Sequence, residues 1–590
     1  MKEFFKYVAA TIVGIISCGI IMGILGLVSI IGMVSSSQKQ TTLSDNSVLV
    51  LKLEGEMSEQ SNSSFLNDLQ DIEEISFEKT LKAIHKAQNN ENIKGIYLEA
   101  GSFSADLAQL QELRKALADF KKSGKWIISY GEIYTQGTYY LASLSDKIYI
   151  NPSGTIDWHG VGGELTYVKD LLAKVGVRMV PVKVGKYKSA VEMFTQDKMS
   201  AENREQTERY INGYWKEITT AVSNSRKISI DSLNAYADRL IATEDPQNLQ
   251  KYKMVDGFYY TDDIKNVIKE QLKIEKEDAI KQVSISEMAN VEDKSDDGDD
   301  KIAVYYAFGD IVDSEIPSSI FGSDHQIIGK DLVKDFQDLA EDEDVKAVVI
   351  RINSGGGSAY ASEQIWHQVM ELKKVKPVVV SMSGAAASGG YYMSCGANWI
   401  VADPMTITGS IGIFGLFPDA SDLMTNKLGL KYDEVKTNRN SVMYADGHFF
   451  TPEQLGYLQA EINRGYMLFK KRVSDGRHLT MAQVEALAQG HVYLAEDAIK
   501  LKLVDQLGGL DDAIAKAAQL AKTKSYYTEN YPAPTDWMDK ILNSTDNKNS
   551  YLDTQLKATL GEYYKPMALM NKIKNMDRIQ AMSPVMVTIK

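Results

Sequence analysis

The sequence predicts an α/β protein made by tandem duplication and preceded by one transmembrane helix, and three observations carry that prediction. An uncharged apolar run opens the chain, two long stretches match at a nearly constant offset, and each stretch alternates short β-branched runs with helical patterns. At 590 residues the chain exceeds what one hydrophobic core supports, so at least two domains are expected. Hydrophobic residues at 44% and charged residues at 24% are ordinary for a folded protein. A formal net charge of -14, with no concentrated Lys/Arg surface, argues against nucleic acid as a partner. The two cysteines, Cys18 and Cys395, imply no disulfide framework.

Taken in order, residues 1–6 form a short N-terminus and residues 7–34 a membrane anchor. No charged residue occurs from Tyr7 to Val34, and about 20 apolar residues suffice to span a bilayer. A cleaved secretory signal would have an apolar core of only about 7–15 residues. Lys2 and Lys6 precede the run and only Lys39 follows it before Leu43. That bias places residues 1–6 in the cytoplasm and the bulk of the chain outside, with membrane lipid as a partner of the helix. A polar linker covers 35–46, the first copy 47–285, an acidic linker 286–300 and the second copy 301–522. Asn46–Glu56 pairs with Asp300–Asp310, Ile93–Ala100 with Val345–Ile352, and Tyr139-Tyr140 with Tyr391-Tyr392; from 93 to 345 and from 139 to 391 the step is 252. Runs such as VKAVVIRI and PVVVSM read as strands and ASEQIWHQVMELKK as a helix, which argues for a largely parallel sheet with sites at the carboxyl ends of its strands. The tail, 523–590, lies outside the repeat. Its stretch YYKPMALMNKIKNMDRIQAM reads as an amphipathic helix for a partner or membrane, or as a helix packed on the body.

Two glycine-rich segments of the second copy fall in such loops: Asn353–Ser358 (NSGGGS) and Ser383–Gly390 (SGAAASGG). Glycine lets backbone N–H groups approach a ligand closely, as an oxyanion hole requires, although a plain tight turn is the favoured reading of an isolated Gly-Gly-Gly. Ser388 has only small neighbours, which leaves its hydroxyl accessible as a nucleophile needs, but on local sequence alone a buried or capping serine is the favoured reading. The duplication supplies a comparison. At the same offset, Gln136 stands opposite Ser388, and Ser102-Phe103-Ser104-Ala105 opposite Ser354-Gly355-Gly356-Gly357. A scaffold with one surviving site fits that pattern. Lys188, in the cluster Lys183, Lys186, Lys188, reads on its own as a surface lysine. The seven histidines show neither metal-ligand spacing nor a triad order, so no metal and no cofactor is expected. Cys395 reads as a small buried hydrophobe.

The segments NSGGGSAYASE, AAASGGYYMSCGANWIVADPMTITGSIGIFG and VGKYKSAVEMF resemble the signature regions of the long-form signal peptide peptidase A family, also called protease IV, over about residues 1–520. The resemblance implies a ClpP/crotonase-like fold for each copy. It also implies a Ser/Lys dyad in which Ser388 is the nucleophile and Lys188 the general base, with Gly356 and Gly389 as the oxyanion hole and Ser410 orienting the lysine. Apolar peptides such as cleaved signal peptides are the implied substrates. A homotetramer in the inner membrane of a bacterium, its catalytic bulk on the periplasmic side, is the implied setting. One departure is Gly355, where the family has proline, which makes the loop more flexible. Only about one free lysine in 2,500 is neutral at pH 7, so Lys188 must be desolvated to act as a base. Two other classes share some of these features. A crotonase-type acyl-CoA enzyme would use the glycine loops without a serine nucleophile, and a membrane scaffold with a dead site would need neither Ser388 nor Lys188.

Overall fold

The β-branched runs of both copies form parallel sheets. The computed structural model describes residue 14 and residues 43–61, 75–292, 298–315, 325–445, 447–533, 579–583 and 588–589. The first copy orders its strands Gly257–Phe258, Lys147–Ile156, Trp126–Tyr134, Ile93–Asp106, Ser47–Glu56, Lys281–Val283, all pairs parallel. The second orders them Val492–Leu494, Ile407–Gly409, Val378–Ala387, Val345–Ser354, Asp300–Phe308, Tyr526–Tyr531, with Val492–Leu494 alone of these antiparallel to its neighbour. A parallel sheet is covered on both faces, so its strands are apolar throughout, and Val378–Ala387 is buried at every position.

The two-residue period of a strand decides what each face meets. Ile302, Val304, Tyr306, Ala347 and Val349 join the hydrophobic cluster of the first copy. Ala303, Tyr305, Ala307, Val348 and Ile350 join a second cluster, built mainly from the second copy. The two copies therefore share a core across one face of the second sheet. A further sheet joins them at an edge, where Arg178–Lys183 of the first copy pairs antiparallel with Phe414–Asp419 of the second, from Lys183 opposite Phe414 to Arg178 opposite Asp419.

The duplication is visible in detail. Ala201–Arg226 and Pro452–Arg477 are both helices of 26 residues, capped by the hydroxyls of Ser200 and Thr451. Each ends in an arginine whose Nε donates to a lysine carbonyl, Arg226 to Lys253 and Arg477 to Lys502, both at 3.0 Å. The same guanidinia pair with Asp256 and Asp505.

Among the described residues no helix is long and apolar enough to cross a membrane. This contradicts the expected single-pass location in a bacterial inner membrane. The two 26-residue helices have the length for a bilayer, but Glu202, Arg204, Glu205, Glu208 and Arg209 on one, and Glu453, Glu461, Arg464 and Lys470 on the other, give them polar faces instead. The apolar run 7–34 lies outside the described residues except for Gly14. In the tail, Tyr526–Tyr531, Ile579–Met582 and Thr588–Ile589 are strands. Of the stretch read as an amphipathic helix, only Ile579–Met582 lies among the described residues, and it pairs with the glycine loop instead.

Candidate active site

Ser388 ends the central strand Val378–Ala387 and begins the short helix Gly389–Ser394. Its backbone, at φ 53° and ψ -109°, is unusual for a residue with a side chain and is held by its surroundings. The Ser388 N–H donates to the Gly409 carbonyl and the Tyr392 N–H to the Ser388 carbonyl, each at 2.8 Å. The sheet register shifts between Ile352 and Ser354, where the glycine loop leaves beside this turn.

Lys188 comes from the first copy, in the loop that follows Arg178–Lys183. Second-copy groups fix that loop: the Val184 N–H donates to Ile413 O at 3.3 Å and the Tyr187 N–H to Gln489 O at 3.1 Å. Gln206 braces it further, giving its Nε2 to Ser189 Oγ at 3.0 Å while its Oε1 accepts from the Val492 N–H at 3.2 Å. The result is a lysine that is 0% exposed. Its Nζ lies 2.7 Å from Ser388 Oγ, 3.1 Å from Ser410 Oγ and 3.2 Å from Ser410 O. Burial pushes the amine well below the usual lysine range. Ser410 itself sits at a positive φ of 50°, its N–H donating to His491 O at 2.7 Å.

Gly389 flanks Ser388, and the glycine run reaches the same place as the strand Gly356–Ser358. The Gly356 N–H, however, donates to Ser354 Oγ at 3.1 Å. The tail strand Ile579–Met582 lies against the run in antiparallel register, Gly356 opposite Met582 and Gly357 opposite Ala581. Space here is tight. A Cβ on Gly356 would stand 2.0 Å from the Ala581 carbonyl oxygen and 2.7 Å from the Gly389 nitrogen, and one on Gly389 would stand 3.0 Å from the same oxygen. Only glycine fits both positions, and the Ala581 carbonyl therefore sits between the two glycine segments.

Behind the site runs a polar network that the sequence reading missed. Arg351, in the strand Val345–Ser354, is 0% exposed and gives Nε to Glu59 at 2.9 Å and Nη1 to Glu112 at 2.7 Å, both in the first copy. Burial works against its charge, but Glu112 and Glu59 outweigh burial and hold the guanidinium above its usual range. Asn353 Nδ2 donates to Asp106 at 2.7 Å, and its Oδ1 accepts from the Ala385 N–H at 3.1 Å, tying the glycine loop to the strand that carries Ser388. Burial raises the Asp106 carboxyl to about 6. An arginine inside the apolar run VKAVVIRI was the available signal, since a charge there demands buried partners. Cys395 is fully buried and its thiol is pushed up to about 12, a pattern of inert packing. Among the described residues no group of His, Cys, Asp or Glu is placed to hold a metal ion.

Comparison with known proteins fixes the class. The profile of peptidase family S49 matches residues 119–275 and 370–524, once in each copy. The chain belongs to that family. It is 37% identical to "Protease 4" of Salmonella typhi over 83% of this chain and 79% of the relative, and 36% identical to "Protease 4" of Haemophilus influenzae over 91% and 88%. Similarity to the chloroplastic "Serine protease SPPA" of Arabidopsis thaliana is 29% identity over 88% and 76%. Among solved structures, a ClpP1 mutant from Listeria monocytogenes aligns with 36% of this chain and 94% of its own at 15% identity, with a TM-score of only 0.24. Family membership makes the chain a serine protease and sets aside the acyl-CoA and dead-scaffold classes.

Proposed function

We propose that this protease cleaves peptides through a Ser/Lys dyad, with Ser388 as nucleophile and Lys188 as general base. The 2.7 Å approach of a wholly buried amine to the serine hydroxyl supports it most directly. A neutral lysine has two N–H donors and one lone pair. The donors match Ser410 Oγ and Ser410 O, which leaves the lone pair for the Ser388 hydroxyl proton. Ser388 Oγ then adds to a peptide carbonyl while its proton passes to Lys188, and Lys188 returns that proton to the leaving amine. Water hydrolyses the resulting ester by the same relay.

For the oxyanion hole we infer Gly389 together with Gly357 in place of the expected Gly356. The Gly356 N–H is already given to Ser354. The Ser583 N–H donates to Gly355 O at 2.6 Å, so the alternation of an antiparallel ladder makes Gly357 and Ala581 the next hydrogen-bonded pair. That alternation aims the Gly357 N–H at a carbonyl lying in the cleft.

A substrate would enter as an added strand between Gly356–Ser358 and Phe414–Gly415, held by backbone hydrogen bonds that read shape rather than sequence. Apolar peptides such as signal-peptide remnants suit this mode. A homotetramer with inward-facing sites would keep folded proteins out, and light scattering on the purified chain checks the oligomer. The test of the dyad is hydrolysis of a fluorogenic peptide together with labelling by a serine-directed fluorophosphonate. Ser388→Ala is expected to lose both and Lys188→Ala to lose turnover; turnover by Ser388→Ala refutes the mechanism.

A further inference from the structure

The strand Thr588–Ile589 lies on the first copy, antiparallel to the end of Ile93–Asp106, with Ala105 opposite Ile589 and Asp106 opposite Thr588. In the second copy Gly357 stands opposite Ala581 and Ser358 opposite Gln580. From 105 to 357 and from 106 to 358 the step is again 252, so both copies take an added strand at equivalent positions and in the same direction. Ala105 is the residue that holds it. Ser104 pairs with Glu56, and its carbonyl accepts from the Met57 N–H at 2.9 Å, so the Ser104 backbone faces Ser47–Glu56. The Asp106 N–H is given to Gln109 Oε1 at 3.1 Å. Ala105, between them, turns its N–H and C=O the other way, which makes Ala105 and Ile589 the hydrogen-bonded pair of the ladder. The nucleophile has no counterpart beside this edge. Gln136, at the place of Ser388, accepts with Oε1 from the N–H groups of His159 and Gly160 at 3.0 and 2.8 Å and donates with Nε2 to Gly160 O at 3.0 Å. Gly162 and Gly163, at the offset of Phe414 and Gly415, are exposed, and a Cβ on either would meet nothing within 4 Å. The first copy's cleft is therefore open on the side that Phe414 and Gly415 close in the second.

We infer that the first copy is a second peptide site, which does not cut but holds, by strand addition at Ala105, a stretch of the substrate C-terminal to the stretch in the active cleft. This rests on the reading above of the substrate as an added strand with its scissile carbonyl at Gly357. The chain itself sets the spacing: Ala581 and Ile589 are eight positions apart, and one backbone enters both ladders in the same direction. A substrate in the active cleft thus carries its eighth residue beyond the scissile carbonyl to Ala105, displacing Thr588–Ile589. Recognition through backbone groups selects for length and an extended shape rather than for sequence. Ala105 is remote from the reacting atoms, so it holds ground state and transition state alike, and its contribution appears in KM and not in kcat.

The experiment uses the full-length chain and two internally quenched peptides that share one apolar core, whose scissile bond is located by mass spectrometry. The short peptide ends well before the eighth residue and the long one well past it. The long peptide is expected to show a KM roughly tenfold lower at unchanged kcat, the worth of about two backbone hydrogen bonds. N-methylation of its eighth residue, whose N–H faces Ala105, is expected to give back most of that gain, whereas N-methylation of the seventh, whose N–H points away, keeps it. Benzoylphenylalanine at the eighth residue is expected to cross-link to the first copy beside Ala105. Fluorescence anisotropy with Ser388→Ala, which follows binding without cleavage, is expected to rank the peptides in the same order. Hydrolysis with equal KM for the two lengths, equal effects of the two methylations, or a cross-link confined to the second copy overturns the inference and leaves the dyad standing. A wild type that cuts neither peptide, while Ser388→Ala binds the long one more tightly with the same methylation pattern, overturns the dyad and leaves the first-copy site standing.

Discussion

Lys188 shows how far one residue's setting decides its chemistry. Its folded pKa is depressed by burial, whereas in the unfolded chain it returns to the ordinary lysine value near 10.4. Two consequences have opposite practical signs. For catalysis, kcat/KM should rise with pH through a pKa well below that of free lysine, because only the neutral amine accepts the serine proton, and a pH–rate profile checks this. For stability, the unfolded chain carries a proton that the folded chain has lost, so stability rises with pH up to the unfolded pKa, and at pH 7 the buried lysine is a cost. Lys188→Met should therefore raise Tm at pH 7 while lowering kcat by roughly ten-thousandfold or more; a melting curve beside a turnover assay separates the two effects. Ser410→Ala removes one of the three oxygen partners of the amine. The loss of about one hydrogen bond's worth of positioning predicts roughly a tenfold fall in kcat with little change in KM. The motifs around Ser388 and Lys188 are long enough to single out both residues in the sequence, and the structure brings them to 2.7 Å. The proposed use of Gly357 in place of Gly356 was not legible, since it turns on which way a peptide plane faces in a ladder formed with residues more than two hundred positions away.

At the scale of the elements, the glycine strand and the turn that presents Ser388 act as one device. Gly356 has φ 106°, a region side chains avoid, and any Cβ there would meet the carbonyl in the cleft. Gly356→Ala is expected to lower kcat/KM by roughly 10²–10³, the range for losing one oxyanion donor, because the strand must shift and carry the Gly357 amide with it. Steady-state kinetics on the folded variant checks it, with circular dichroism to confirm the fold. The strands that build this device were readable from β-branched runs, and the duplication from its offset. The antiparallel seam between Arg178–Lys183 and Phe414–Asp419 was not, because each run is only six residues long and its partner lies in the other copy. Ile579–Met582 was misread for a physical reason as well: Met and Ile at helical spacing suit an amphipathic helix, yet two open strand edges offer these residues a full set of backbone partners.

For the whole molecule, a site divided between two copies works only if the copies are held in fixed relation. The shared core supplies the apolar part of that constraint and the buried network the directional part. Asp106 makes the network sensitive to pH. Its carboxyl is raised from 3.8 to about 6, so the folded state holds the proton longer. That contribution is fully present below about pH 3.8 and is lost as pH rises to about 6. Asp106→Asn should flatten the Tm curve between those limits, raising stability at pH 7 by up to about 3 kcal/mol relative to the change at pH 4. Arg351 gives the sharper test. Arg351→Ala leaves Glu59 and Glu112 facing each other, their side chains 1% and 6% exposed, without the cation that compensates them. Breaking a buried ion network from one side costs about 3–5 kcal/mol, whereas replacing the whole network with apolar groups of similar volume is close to neutral. The triple variant Arg351→Met, Glu59→Leu, Glu112→Leu should accordingly melt near the wild type while Arg351→Ala melts well below it. If the network also sets the angle at which Lys188 meets Ser388, the triple variant recovers stability without full activity, because apolar packing restores the core but not the hydrogen bonds that fix Ser381 and Ser383 on the nucleophile strand. Thermal denaturation with peptide turnover on the same three proteins decides between a network that only stabilises and one that aligns the two copies.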